Sequence, residues 1–154
     1  MIAVIQRVKR ASVVIDGNEA GKCGHGLMIL LGVAEGDTRL DADAMAAKIS
    51  KLRIFCDEND KMNLSVKDVD GEILVVSNFT LLANYAKGNR PDYLNSAAPD
   101  VANELYEYFV SLVKNEVKHV GTGVFGADME VTIVNDGPVT IVMDSRVLLA
   151  KNKK

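Results

Sequence analysis

The sequence predicts an α+β domain with a mainly antiparallel sheet and two helices. Three observations carry that expectation. The first 33 residues are short apolar runs broken by tight glycine turns. The apolar period becomes helical only twice, near residues 41–52 and 100–116. Two further apolar runs, 131–134 and 139–143, flank an Asp-Gly turn signal. Strands joined by tight turns pair antiparallel, and helices that do not alternate with strands do not build βαβ units.

The elements follow in chain order. Residues 3–8 are mostly apolar, and 11–15 follow after the basic step Lys9-Arg10. Asp16-Gly17-Asn18 turns the chain into residues 19–23, and Gly24-His25-Gly26 turns it again. Residues 27–33 form a continuous apolar run, the pattern of a strand buried on both faces. From Asp41 onward, Met45, Ile49 and Leu52 share one helical face, while Asp37, Asp41 and Asp43 place negative charge where the helix dipole favours it. After a turn at residues 57–60 come Met62-Asn63-Leu64 and a strong strand at 72–77. Pro99 opens a second helix over 100–116, with Val101, Leu105, Tyr108, Phe109 and Leu112 as its apolar stripe. At residues 135–140, NDGPVT, glycine's tolerance of positive φ favours a hairpin. Pro138, however, puts a residue with no N–H where the returning strand should begin its ladder.

Length and composition narrow the function. A chain of 154 residues with three prolines and no Gly/Ser-rich stretch reads as one domain spanning 1–154. Its first residues break too early for a signal peptide, and its longest apolar run, 27–34, is too short to span a bilayer. A cytoplasmic protein with no membrane contact is expected. The net charge of −3 argues against a protein that coats nucleic acid with positive charge. The basic tail (Lys151, Lys153, Lys154) reads as a solvated end, and Cys23 and Cys56 as buried or half-buried thiols. His25 and His119 are too few and too scattered to suggest a metal. Gly121, Gly123 and Gly126 match the letters of the dinucleotide fingerprint but precede a strand instead of opening a helix.

Candidate chemistry lies where polar residues interrupt an apolar strand. Ser77, Asn78 and Thr80 supply two hydroxyls and an amide within four residues. If the strand bends there, side chains and free N–H groups converge on one pocket, able to position a water and hold an oxyanion. Neither hydroxyl has a base nearby in sequence, which disfavours an activated nucleophile. The loop from Lys87 to Tyr93 holds two cations and a ring, suited to phosphate or simply to solvent. Arg7, on an apolar strand, must find carbonyl partners or reach water.

Taken together and in order, several stretches resemble the D-aminoacyl-tRNA deacylases. They are MIAVIQRV and ASV at the start, RIF (53–55), KMNL (61–64), VVSNFTL (75–81), KGNRP (87–91), TGVFGADM (122–129) and NDGPVT (135–140). The resemblance implies that family's fold, a barrel-like, mainly antiparallel core with two helices packed on it. It implies a homodimer with active sites at the subunit interface and no cofactor or DNA partner. The expected reaction is hydrolysis of the ester joining a D-amino acid, or glycine, to the 3′ end of tRNA. Ser77, Phe79 and Thr80 match the family's S-Q-x-T motif, with Asn78 standing where the family has glutamine. Gly137-Pro138 matches a cis Gly-Pro pair that reaches into the other subunit's pocket, holds the substrate amino group and excludes an L side chain. Arg7 is expected to anchor that loop, Phe125 to lie near the adenine pocket, and Met129 to join the substrate-binding residues. The site has no histidine or carboxylate base. The expected mechanism therefore lets the tRNA's own ribose hydroxyl assist water, with the N–H of Phe79 and of Thr80 as oxyanion donors. The rivals are a covalent Thr80 nucleophile, a tRNA-end binding module without turnover, and a generic esterase.

Overall fold

The structure, a computed structural model, describes residues 1–150; the basic tail beyond lies outside the described residues. Strand β1 (Ile2–Ile15) is the spine of the sheet. Its first half pairs antiparallel with β3 (Gly26–Gly32) and its second half with β2 (Asn18–Cys23). Register shifts around Arg7 let the strand change sides. Ala3 and Ile5 face the helices, whereas Val8, Ala11 and Val13 point into the barrel with Met28, Leu74 and Val76. β6 (Glu72–Ser77) lies beside β3, and β7 (Val120–Thr122) beside β6. The barrel nearly closes where β2 meets β7, and glycine makes the approach possible. A Cβ on Gly21 would run into the Thr122 carbonyl, and one on Gly121 into that of Lys22.

Two helices cover the other face. In α1 (Arg39–Ile49), Met45 and Ile49 are fully buried. The helix starts two residues earlier than the spacing suggests, because the Asp41 carboxylate accepts the Thr38 N–H at 2.8 Å. In α2 (Pro99–Lys114) the buried stripe is Ala102, Leu105, Tyr106, Phe109, Val110 and Val113. Leu105 and Phe109 were expected there; Val101 instead is exposed, so the helix is rotated from the expected face. Burying each large apolar side chain contributes about 1.5–3 kcal/mol, which outweighs the few tenths by which propensities differ. A small ribbon of β4 (Phe55–Cys56) and β5 (Met62–Leu64) sits apart.

Three features depart from the sequence reading. Pairing is not all antiparallel: β3–β6 and β6–β7 are parallel. The long connection between β3 and β6 carries α1 across one face, which a parallel neighbour requires and a tight turn cannot supply. A third helix, α3 (Ser145–Ala150), follows the last strand, where only a tail was expected. Its Ser145 hydroxyl donates to the buried Asp41 carboxylate at 2.6 Å, tying it to α1.

The third departure is NDGPVT, which makes no hairpin. β8 (Glu130–Asp144) runs on past it as one strand antiparallel to β1, from Glu130 opposite Val14 to Asp144 opposite Ile2. Residues 136–139 bulge out of the ladder, where Pro138 has no N–H to give. The Asn135 amide closes the bulge by accepting the Val139 N–H (2.9 Å) and donating to the Val139 carbonyl (3.2 Å).

Cys23 is buried inside the barrel, and burial pushes its thiol up to about 11. That leaves about a hundredfold less thiolate than the free side chain presents. Iodoacetamide at pH 8 should therefore leave Cys23 unmodified in the native protein and alkylate it in guanidinium. Native alkylation of Cys23, read by peptide mass spectrometry, would contradict this packing.

Candidate active site

β6 ends at Ser77, because the Asn78 N–H goes to the Leu31 carbonyl (2.8 Å) and the chain then tightens into a 3₁₀ turn, Phe79–Leu82. Asn78 caps that turn. Its extended backbone (φ −148°, ψ 92°) lets its Oδ1 accept the Thr80 N–H at 3.2 Å and the Thr80 hydroxyl as well. The first N–H groups of such a turn have no partner within it. Asn78 takes that of Thr80, so only the Phe79 N–H, together with the Ser77 hydroxyl, is without a partner among the described residues. The bend anticipated at Ser77-Asn78 is thus an Asn-capped turn that presents one free donor.

Beside this turn lies a cleft of about 900 Å³. Ser77, Asn78 and Phe79 form one wall, Phe125 and Met129 another. Tyr106 is at its floor and donates its hydroxyl to the Val75 carbonyl at 2.9 Å, fixing α2 against the strand that ends in Ser77. Burial, then the charge of Glu107, pushes Tyr106 up to about 12, so it stays a neutral donor. Phe125 leans on its ring at 6.2 Å. Gly123 gives Met129 its place, since a Cβ there would come within 2.5 Å of the sulfur. At the rim Tyr93 meets Phe79 edge to face at 5.0 Å. Sequence reasoning missed Tyr106 as a pocket residue, although its spacing from Ala102 and Phe109 marks the buried side of α2.

The remaining expected residues lie elsewhere. Thr80 is exposed and joins the site only through Asn78. Arg7, Gly137 and Pro138 form a second cluster that does not line the cleft. Arg7 is buried; it does not reach water, and finds carbonyls instead. Its Nη1 donates to the Ile54 carbonyl (2.7 Å) and its Nε to that of Asp136 (2.9 Å), with the Asp136 carboxylate 3.4 Å from Nε. Gly137 and Pro138 at the tip of the bulge are exposed, and the peptide between them is cis. With β6, β3, β1 and β8 side by side, this tip sits three strands across from Ser77.

The chemistry open to the cleft is limited. The Thr80 proton is directed at an amide oxygen, which is no base, so nothing here activates a hydroxyl. His119 holds the Lys22 carbonyl at 2.8 Å, and His25 stacks edge-on against Phe55. Among the described residues no group of three or more His, Cys, Asp or Glu is placed to hold a metal. No helix among them is long and apolar enough to cross a membrane. Contrary to the expectation of a site without carboxylates, Glu35 and Asp128 line the cleft, but neither hydrogen-bonds a hydroxyl among the described residues. Donors and hydroxyls are then the groups suited to holding a developing oxyanion and positioning water at an ester.

The protein is accordingly of the hydrolase class, acting on carboxylic esters. The profile of the D-Tyr-tRNA(Tyr) deacylases matches residues 4–144, and the chain belongs to that family. It is 56% identical to the D-aminoacyl-tRNA deacylase of Caldicellulosiruptor saccharolyticus over 146 residues, covering 95% of this chain and 98% of that one. Against the enzyme of the same name from Flavobacterium johnsoniae it is 54% identical over 147 residues, with the same coverage. Among solved structures it resembles a protein described as the c-Myc DNA Unwinding Element Binding Protein. That match has a TM-score of 0.88 and 41% identity, over 94% of this chain and 98% of the other. A probable eukaryotic D-amino acid tRNA deacylase shares the fold at TM-score 0.73 and 16% identity, over 92% and 97%.

Proposed function

We propose that this protein hydrolyses the ester of D-aminoacyl-tRNA, and of glycyl-tRNA, releasing the amino acid and leaving the L-aminoacyl ester intact. The observation that carries this reading is the free Phe79 N–H at the wall of a cleft whose two carboxylates, Glu35 and Asp128, hydrogen-bond no hydroxyl among the described residues. Such a site can stabilise an oxyanion but pairs no side-chain hydroxyl with a base, so the neighbouring ribose hydroxyl of the terminal adenosine assists the attacking water. Phe79 N–H takes the developing oxyanion. The Thr80 N–H, already held by Asn78, is not a second donor. Ser77 and Thr80 position; they do not attack. Phe125 and Met129 pack against the adenosine.

Chirality is read by rejection. The Gly137-Pro138 tip of one subunit enters the cleft of the other in a homodimer, where its carbonyls hold the substrate amino group and leave no room for an L side chain. Two observations support this arrangement. The tip is exposed and lies away from its own chain's cleft, yet Arg7 holds its base firmly. On the same sheet, Val142 is 71% exposed opposite Val4, an apolar pair left open among the described residues.

The mechanism is tested with two changes. Thr80→Ala should keep turnover of D-Tyr-tRNA within about tenfold, since a lost positioning hydrogen bond is worth about 1 kcal/mol. The same substrate ending in 2′-deoxyadenosine should be cleaved about 10²-fold more slowly, the lower end of what a positioned proton-transfer group supplies. Complete loss in a folded, substrate-binding Thr80→Ala, with the deoxy substrate cleaved normally, would establish Thr80 as the nucleophile instead.

A further inference from the structure

Resting on the deacylase reading above, we propose that the loop from Asn84 to Leu94 seats the single-stranded 3′ end of the tRNA. In this seat Lys87 and Arg90 take backbone phosphates and Tyr85 offers a stacking face to a base. The loop is a built element. Asn84 and Asp92 exchange both backbone hydrogen bonds, at 2.8 and 3.0 Å, and the Asn84 amide donates to Asp92 Oδ2 at 3.1 Å. Asp92 Oδ1 accepts the Leu94 N–H and Asn84 Oδ1 that of Ala86, each at 3.2 Å. Gly88, with φ at +66°, turns the tip.

That bonding fixes the charge balance of the tip. Asp92 is the one carboxylate between residues 84 and 94, and both its oxygens are spent on the stem. Lys87 and Arg90 make no ion pair and no hydrogen bond among the described residues. Other cations, Lys48 and Lys51 among them, also lack a carboxylate partner among the described residues; Lys87 and Arg90 differ in sharing one short loop whose single carboxylate is already engaged. In a chain of net charge −3, two free cations on one loop tip are a local attraction for a polyanion, not a general one. Tyr85 is 81% exposed beside them. A free aromatic face flanked by cations is the combination that binds single strands, through stacking and phosphate contact together.

The loop is also in register with the chemistry. Tyr93 and Leu94 line the cleft, Tyr93 packs on Phe79, and the Ser96 hydroxyl donates to the Phe79 carbonyl at 3.3 Å. A strand whose last nucleotide enters the cleft can lie across this rim. Glu35 and Asp128, on the cleft itself, would repel phosphate and so favour a path over the basic tip.

The test is the affinity of a fluorescein-labelled acceptor-stem hairpin RNA with a single-stranded ACCA end, read by anisotropy between 50 and 200 mM KCl. Lys87→Ala/Arg90→Ala should weaken binding about tenfold and make log Kd about 1.4 less steep in log salt, two phosphates at about 0.7 each. Tyr85→Ala should weaken it about fivefold or more, and Tyr85→Phe should restore it. Removing the same charge at Lys48, on α1, and at Lys51, just beyond its end, should change neither. Wild-type Kd and salt slope in both loop variants would overturn the proposal. Turnover of D-Tyr-tRNA, measured alongside, separates the two readings. Loop-dependent RNA binding without turnover overturns the deacylase reading alone, and turnover with loop-independent binding overturns the loop alone.

Discussion

Phe79→Pro is expected to lower kcat for D-Tyr-tRNA by about 10²–10³-fold relative to Phe79→Ala, the loss typical of one oxyanion donor. The pair isolates a single atom. Both substitutions remove the ring and its contact with Tyr93, but only proline removes the N–H. The position accepts it, since Phe79 opens the 3₁₀ turn and its N–H has no partner among the described residues to lose. The preceding Asn78 is extended and not helical, so a following proline meets no α-region clash and needs only a modest rise in ψ from 92°. Rates are compared at saturating substrate, with circular dichroism to show that both variants fold. Equal kcat in the two would remove the Phe79 N–H from the mechanism.

The second large effect concerns Arg7. Arg7→Met fills the same volume but leaves the Ile54 and Asp136 carbonyls without their donor. Two charge-assisted hydrogen bonds lost in a buried setting should cost about 3 kcal/mol, seen as a lower guanidinium midpoint with an unchanged slope. The Gly137-Pro138 tip then loses the hold at its base. Hydrolysis of L-Tyr-tRNA should rise about tenfold or more against D-Tyr-tRNA, because the tip no longer stands firmly against an L side chain. Arg7→Lys, with one point charge for two directed donors, should fall between. A stable, folded Arg7→Met with wild-type discrimination would show that the tip needs no such anchor.

What could be read from the sequence followed how local each signal was. Glycine turns and apolar runs marked β1 to β3, because their causes lie within a few residues. The parallel neighbours of β6 were not legible, since they depend on where a forty-residue connection carries the chain. NDGPVT misled for the same reason. Asp-Gly describes a local preference for a hairpin, whereas β1 supplies partners on both sides of the motif and lets the strand continue past it. Ser77, Asn78 and Thr80 could be marked as a candidate site because polar residues interrupting a buried strand need a cause. What Asn78 does there required coordinates. Its short side chain reaches forward to accept from Thr80 and thereby decides which N–H stays free. The stripe of α2 was readable in period but not in phase, and Tyr106 was missed because its hydroxyl reads as solvent-facing until the Val75 carbonyl is seen opposite.

The most direct measurement is amino-acid release from D-Tyr-tRNA and L-Tyr-tRNA offered separately to the purified protein. D-tyrosine should be released at least about 10³-fold faster, as a steric rejection of ~4 kcal/mol requires. Equal release from both, or release from neither, would contradict a D-selective deacylase.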